Sequence, residues 1–131
     1  MMTGGLTLGT GALIALEADR LAMRKVFYAA LAEDLLITVP VVIVAEWWRA
    51  GRREKQRAKL LRSMHVEPLD KHVAMAAGIA LGLVSNSSTI DALVMASAAL
   101  RGDTVYTSDA RDMERLRAGV PGFARIQIAQ A

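Results

Sequence analysis

The stretch IDALVMASAALRGDTVYTSDARDM, residues 90–113, predicts a helix, a strand and the start of a second helix, separated by short turns. Gly102 follows an apolar run and is a residue type that ends helices. TVYT at 104–107 is rich in β-branched and aromatic residues, which favours a strand. SDARDMERLRAG then predicts a helix that ends at Gly119.

The same alternation extends through the rest of the chain. Strands are predicted at 6–8 (LTL), 35–39 (LLITV), 64–69 (MHVEPL, stopped by Pro68) and 124–129 (ARIQIA). Helices are predicted at 12–19, at 21–32 and from Pro40 to Ala50, followed by a basic helix to about Arg62 and a long helix from Asp70 to Val84. Strands that alternate with helices predict a parallel sheet covered on both faces. Ligands bind such sheets beyond the carboxyl ends of the strands.

Length and composition predict a single domain over residues 1–131. Hydrophobic residues make up 53% of the chain and aromatic residues only 5%, which favours aliphatic helices packed on a small sheet. The longest uncharged apolar stretch, residues 73–84, is shorter than the roughly 20 residues of a membrane span. No Lys or Arg precedes Arg20, so a signal peptide is not indicated, and we expect a cytoplasmic protein without a membrane segment.

The chain has no Cys and only two His residues, His65 and His72. Disulfides, thiolate nucleophiles and cysteine-based zinc or iron–sulfur sites are therefore excluded. Any divalent metal would be held by oxygen atoms, which favours Mg²⁺ or Mn²⁺ over Zn²⁺.

The charge of the chain is mildly basic, with a formal net charge of +3 and a pI of about 9.7. One segment holds many of the cations, with a single acid, Glu54, among them: Arg49, Arg52, Arg53, Lys55, Arg57, Lys59 and Arg62. Such a segment can hold a phosphate backbone through the release of counterions. The alternative is a solvated helix face.

The turn GTGALI, residues 9–14, follows a strand and opens a helix, as the glycine-rich dinucleotide turn does. Ile14 stands where the third glycine of that motif is required, and no acidic residue lies on a clean second strand about 20 positions on. Nucleotide binding is thus an alternative that only half of its motif supports.

Four acidic residues are candidates for chemistry. Glu46 lies in the apolar run VVIVAEWW, where a carboxylate is costly to bury unless it is paired or binds a cation, and the alternative is an ion pair with Arg49. Asp91 follows Ser88 at the spacing of a capping box. Asp109 and Asp112 follow a strand, where helix capping and the helix dipole would also explain them. Each acid has a structural explanation by itself, and only the set of four indicates a function.

The order of these features resembles the PIN domain, in particular the ribonuclease toxins of VapC type. The features are the turn in LGTGALIALE, the acid in VPVVIVAEWW, the acid that opens IDALVMASAAL and the acids in VYTSDARDM. The resemblance covers nearly the whole chain, and residues 90–113 are its most specific part. It implies a three-layer α/β/α fold with a short, mostly parallel central sheet.

PIN domains of this type typically open with an Asp at the end of the first strand, in the pattern LDTSALIAL or LDTGALIAL, and Gly9 stands at that position here. By the resemblance, the remaining catalytic and metal-binding acids are Glu46, Asp91 and Asp109, with Asp112 as an additional member. Thr10 matches the hydroxyl residue that often follows the first Asp, at the substrate side of the site. Gly9 is therefore interpreted as a vacated metal-ligand position.

The resemblance implies a metal-dependent endoribonuclease that uses Mg²⁺ or Mn²⁺ to activate water and to offset charge on the phosphate. Because Mg²⁺ tolerates incomplete octahedral geometry poorly, we expect weak metal binding and little cleavage by this chain. Arg49, Arg52, Arg53 and Arg57 would guide RNA to the acids. Trp47 and Trp48 would stack on a base or anchor a protein, the alternative being a core position for at least one of them.

The partners that the resemblance implies are a VapB-like antitoxin, whose C-terminal segment covers the acids, and a second copy of the chain in a homodimer. Residues 12–31 and 41–62 are the exposed-helix candidates for these contacts. A non-catalytic PIN-fold protein that binds antitoxin or RNA without cleavage is the alternative function.

Overall fold

The computed structural model describes residues 4–131 of the chain. The strands are β1 (Leu6–Leu8), β2 (Ile37–Pro40), β3 (His65–Glu67), β4 (Thr104–Thr107) and β5 (Gln127–Gln130). The α-helices are α1 (Thr10–Glu17), α2 (Leu21–Ala32), α3 (Val41–Trp47), α4 (Glu54–Arg62), α5 (Lys71–Leu83), α6 (Thr89–Arg101) and α7 (Ala110–Gly119). A short 3-10 helix spans Pro121–Phe123.

The strands form one five-stranded sheet in the order β3-β2-β1-β4-β5. Every neighbouring pair is parallel, with Leu6 beside Ile37 on one side and beside Thr104 on the other. The central strands are buried on both faces, as Leu8, Val39 and Val105 are fully enclosed. The predicted parallel α/β sheet is confirmed.

The helices form two layers, one on each face of the sheet. Helix α1 contacts α2, α3 and α4, whereas α5, α6 and α7 contact one another. This division follows from right-handed crossovers, because the chain moves from β1 towards β3 in one direction and from β4 to β5 in the other. The three-layer arrangement predicted for a PIN-like fold is confirmed.

The helix predicted from Pro40 to Ala50 is shorter in the structure, because α3 ends at Trp47, and the basic helix predicted to follow it to about Arg62 begins at Glu54. Trp48 adopts an extended conformation, and Gly51 has a φ of 130°, a value that non-glycine residues rarely adopt. The β-branched run of α3 thus supports a helix of only 7 residues.

The strand order reverses between β1 and β4, which lie side by side at the centre of the sheet. The crossovers that leave these two strands turn to opposite faces and open a crevice at their carboxyl ends. Gly9 follows β1 and Ser108 follows β4, so both lie at this crevice. The topology therefore places the two sequence motifs next to each other.

Polar side chains away from this crevice fasten the end of α6 to the sheet. Arg101, the last residue of α6, donates to buried Asp103, to Thr7 of β1 and to Ser97, and it pairs with Glu67 of β3. Such enclosed charges are tolerated because each has an oppositely charged or hydrogen-bonded partner.

Across residues 4–131, no helix has both the length and the hydrophobicity of a membrane span.

Candidate functional site

A pocket of about 380 Å³ opens at the carboxyl ends of β1 and β4. All four acidic residues singled out in the sequence line it, together with Gly9 and Thr10: Glu46, Asp91, Asp109 and Asp112. Within residues 4–131, no Lys, Arg or His side chain contributes to this lining. Three segments distant in the sequence thus bring four carboxylates to one pocket whose lining holds no cationic side chain among residues 4–131.

Gly9 connects β1 to α1 in an ordinary extended conformation, with φ −85° and ψ 178°. Its N–H donates to the carbonyl oxygen of Tyr106 at 2.9 Å. A Cβ atom added at Gly9 would lie 3.4 Å from that oxygen, with no closer heavy atom outside its chain neighbours. Neither the backbone nor the space around it demands glycine, so the position accommodates a Cβ atom.

Gly11, by contrast, is packed against Ser108. A Cβ atom at Gly11 would overlap the Ser108 side chain and lie 2.9 Å from the Ser108 nitrogen. This glycine permits the close approach of the segments that follow β1 and β4, which is a packing role. The glycine that the nucleotide-binding alternative would use for phosphate is therefore explained by contact within the protein.

Glu46 lies on the exposed face of α3, while its neighbours Ile43 and Trp47 are buried. The Thr10 hydroxyl donates to its carboxylate at 2.5 Å. The premise that Glu46 is buried is wrong, because Ile43 and Trp47 face the core whereas Glu46 lines the pocket. Among residues 4–131 no ion pair joins Glu46 to Arg49, whose guanidinium donates instead to the carbonyl oxygen of Trp48 at 2.6 Å.

Asp91 lies in the first turn of α6, where its N–H donates to the hydroxyl of Ser88 at 2.9 Å. This bond forms half of the capping box expected from the spacing. Burial raises the pKa of the Asp91 carboxyl above its ordinary value, and the negative charges of Asp109, Asp112 and Glu46 raise it further, against a hydrogen bond from Ser88. Asp91 therefore experiences the repulsion of the whole acidic set.

Asp109 occupies the N-cap position of α7, yet its side chain makes no capping hydrogen bond. Its backbone N–H donates to the hydroxyl of Thr107 at 2.9 Å. Asp112, in the first turn of α7, lies 3.7 Å from Arg115, and both side chains are about half exposed. Such an exposed pair adds little stability. The capping explanation thus does not account for the Asp109 carboxylate.

The donor atoms of this pocket are of the type that Mg²⁺ and Mn²⁺ prefer, since all are carboxylate or hydroxyl oxygens. Over residues 4–131, however, no group of three or more His, Cys, Asp or Glu side chains is close enough to hold a metal ion. The oxygen atoms of this pocket are of the kind that a hard cation prefers. Too few of the carboxylates lie close together, however, to hold one. Gly9, at the end of β1, also lines this pocket and has room for a Cβ atom.

The basic segment divides into two groups in the structure. Arg53 and Arg57 donate to the buried carboxylate of Glu17, and only 16% of the Arg57 side chain is exposed. If these two residues bind RNA as predicted, the RNA must compete with their contacts to Glu17. Arg49 and Arg52 are exposed. Trp47 is buried, which confirms a core position for one tryptophan.

The raised pKa of Asp91 predicts a pH-dependent gain in stability from Asp91→Asn in metal-free buffer. Ionising a carboxyl whose pKa is raised in the folded state destabilises that state, and the cost is complete once the pH exceeds the raised pKa. We expect a higher Tm for Asp91→Asn than for the parent at pH 7, and equal values near pH 3. Asp19→Asn, which changes an exposed carboxylate at the other end of α1, is the control. A variant less stable than the parent at pH 7 would contradict the repulsion.

Comparisons with known proteins agree with this architecture. The chain resembles the solved structure of VapBC2 from Rickettsia felis bound to a promoter DNA fragment, with 13% identity, a TM-score of 0.70, and coverage of 96% of this chain and 98% of that one. It also resembles DNA-bound VapBC from Salmonella typhimurium, with 17% identity, a TM-score of 0.68 and 98% coverage of both chains.

A toxin–antitoxin complex from Klebsiella pneumoniae is a further structural neighbour, with 17% identity, a TM-score of 0.66, and coverage of 95% of this chain and 96% of that one. No curated protein sequence matches the chain. The sequence profile of the PIN domain matches residues 7–119, which is most of the chain. The protein therefore belongs to the PIN domain family.

Proposed function

We propose that the protein is a VapC-type PIN toxin, a metal-dependent endoribonuclease of a toxin–antitoxin pair, whose cleavage is impaired by Gly9. The observation that carries the proposal is the convergence of Glu46, Asp91, Asp109 and Asp112 on one pocket of a PIN fold. The pocket is negatively charged, and a basic segment lies beside it. This combination suits a phosphodiester substrate whose phosphates are accompanied by cations. The proposed substrate is structured RNA of the cytoplasm.

Asp91, Asp109 and Glu46 are the proposed metal ligands, with Asp112 as an additional acid of the pocket. When bound, Mg²⁺ or Mn²⁺ would lower the pKa of a water molecule and offset the charge that develops on the phosphate. Thr10 holds the Glu46 carboxylate at 2.5 Å and thereby orients it towards the pocket. Asp109 and Asp112 can accept protons or hydrogen bonds from water at the mouth of the pocket, since both are exposed.

Repulsion among the acids explains why the missing ligand matters. Two carboxylates about 4 Å apart cost on the order of 4 kcal/mol at an effective dielectric of about 20. Gly9 lowers this repulsion but removes a carboxylate from the end of β1, an element held by strands on both sides. Mg²⁺ keeps waters where protein ligands are absent, so the incomplete set binds it weakly.

Gly9→Asp is expected to increase metal-dependent cleavage of RNA by at least roughly tenfold, since even outer-shell partners of a metal contribute that much to affinity or activity. The backbone and the space at Gly9 accept the new side chain. Initial rates on a structured RNA with Mg²⁺ and with Mn²⁺ measure the gain.

Gly9→Asn is the matched control, because it adds the same volume and the same helix-capping ability without the charge. Equal, robust cleavage by the unaltered chain and by Gly9→Asp would refute the missing-ligand proposal. Absence of cleavage in both would favour the alternative function, a non-catalytic PIN-fold protein that binds RNA or an antitoxin.

For RNA binding we propose Arg49 and Arg52, with Arg53 and Arg57 as contributors only where RNA displaces their contacts with Glu17. The double variant Arg49→Ala, Arg52→Ala should weaken binding and reduce the slope of log K against log salt by about 0.7 for each phosphate that the protein no longer neutralises. The control is Arg20→Ala with Lys25→Ala, which removes two exposed cations from another part of the surface. An unchanged slope in the first variant would leave this segment as a solvated face.

We also propose two protein partners, a VapB-like antitoxin and a second copy of the chain. One structural neighbour is a toxin–antitoxin complex, and two others are structures of VapBC proteins. A groove of about 380 Å³ between α2 and α4, lined in part by Phe27, Tyr28 and Leu60, suits an apolar antitoxin segment. An antitoxin Arg would be attracted to the acidic pocket.

The homodimer is proposed on the exposed face of α5, where Met75, Ile79 and Leu83 are each more than half exposed. The segments predicted for partner contacts, residues 12–31 and 41–62, do not include this face. The sequence does not indicate it because an uncharged run such as residues 73–84 predicts a buried helix. Light scattering of the chain at micromolar concentration should give twice the 14.1 kDa mass, and Ile79→Lys should restore the monomer mass. A monomer whose mass is independent of concentration would exclude the dimer.

A further inference from the structure

A buried carboxylate outside the acidic pocket makes three side-chain contacts that the proposed reaction does not use. Glu17 ends α1 and is 8% exposed. It accepts hydrogen bonds from Trp47 Nε1 at 3.1 Å, Arg53 Nε at 2.5 Å and Arg57 Nε at 3.0 Å. Three separate segments therefore meet at one carboxylate.

The contacts around Glu17 stabilise its charged form. Burial raises the pKa of a carboxyl, but hydrogen bonds from Arg57, Arg53 and Trp47 outweigh this effect, and the pKa of Glu17 lies below its ordinary value. A buried charge without such partners would be strongly unfavourable. The interaction is thus a closed set in which each member requires the others.

The contacts among Glu17, Arg53 and Arg57 surround the end of α3, the helix that carries Glu46. The guanidinium of Arg57 donates to the carbonyl oxygen of Trp47 at 3.1 Å and lies 5.4 Å from the centre of its ring. The carbonyl would otherwise be one of the unpaired groups at a helix end. Because α3 has no side-chain cap and only 7 residues, these contacts from outside the helix hold its last turn.

Helix α1 contacts the end of α3 at two points on one of its faces. Thr10 and Glu17 are two helical turns apart. Thr10 binds Glu46, and Glu17 binds the adjacent Trp47. If the contact between Glu17 and Trp47 were loosened, the adjacent Glu46, which accepts the hydrogen bond from Thr10, would move.

We propose that Glu17 is a positioning residue, which fixes the last turn of α3 and the connection 48–53 so that Glu46 stays beside Thr10 at the acidic pocket. The inference rests on the proposed function for its catalytic meaning. It also gives Arg53 and Arg57 their main role: they neutralise Glu17 and fasten α4 to α1. Arg49 and Arg52 are the exposed cations of the connection that make no hydrogen bond to Glu17.

The test compares Glu17→Gln with Glu67→Gln, which removes the charge of another partly buried carboxylate that does not line the acidic pocket. Hydrogen exchange is measured for the amides of residues 44–53, with β4 as the internal reference. We expect exchange in 44–53 to be at least about tenfold faster in Glu17→Gln, with β4 unchanged, and no such local change in Glu67→Gln.

A second measurement separates positioning of Glu46 from stability of the segment. In the Gly9→Asp chain, we expect Glu17→Gln to weaken Mn²⁺ binding roughly tenfold, measured by paramagnetic resonance of the free ion, and Glu67→Gln to leave it unchanged. Unaltered exchange in 44–53, or faster exchange with unaltered Mn²⁺ affinity, would overturn the proposal. If Gly9→Asp alone binds no Mn²⁺, the proposed function fails, while the exchange data still decide whether Glu17 orders this segment.

Discussion

The mutual repulsion of carboxylates at the carboxyl ends of β1 and β4 is the constraint on which the functional part of the structure depends. Parallel strands with crossovers to opposite faces bring the segments after β1 and β4 together. The fold places Asp91, Asp109, Asp112 and Glu46 around the pocket that results. Burial raises the pKa of Asp91, and the charges of Asp109, Asp112 and Glu46 raise it further, so the fully ionised pocket is costly to leave without cations.

Two sets of contacts away from the pocket hold its walls. Glu17 with its arginines fastens α1, α3 and α4, and Arg101 with Asp103 and Glu67 fastens α6 to the sheet. Each group centres on a largely enclosed charge, Glu17 or Arg101, that would lose its compensation if its partners were removed, which makes such groups sensitive to substitution. The acidic pocket differs from both, since no cationic side chain of residues 4–131 lines it. We interpret this difference as the mark of a site that binds an external cation.

Much of the fold follows from local patterns in the sequence. The β-branched runs, the glycine after α6 and the cap at Asp70 predict the strands and most helices, because each signal acts within a few residues. The end of α3 at Trp47, before the predicted Ala50, escapes prediction, because the contacts around it come from Glu17, which is distant in the chain. The exposure of Glu46 escapes prediction for a related reason: with 7 residues, α3 is too short for the pattern to show which side faces the core. The sequence indicates the set of acids and the departure at Gly9, whereas only the structure shows that this position has room for a side chain.

The most direct test of the account is a pair of crystal structures soaked with Mn²⁺, one of the unaltered chain and one of Gly9→Asp, with the metal located by its anomalous scattering. The account predicts a well-occupied ion between the position of Gly9 and Asp91 or Asp109 in the variant, and a weak or absent peak in the unaltered chain. A fully occupied ion in the unaltered chain, or acids too far apart to share one in the variant, would contradict it.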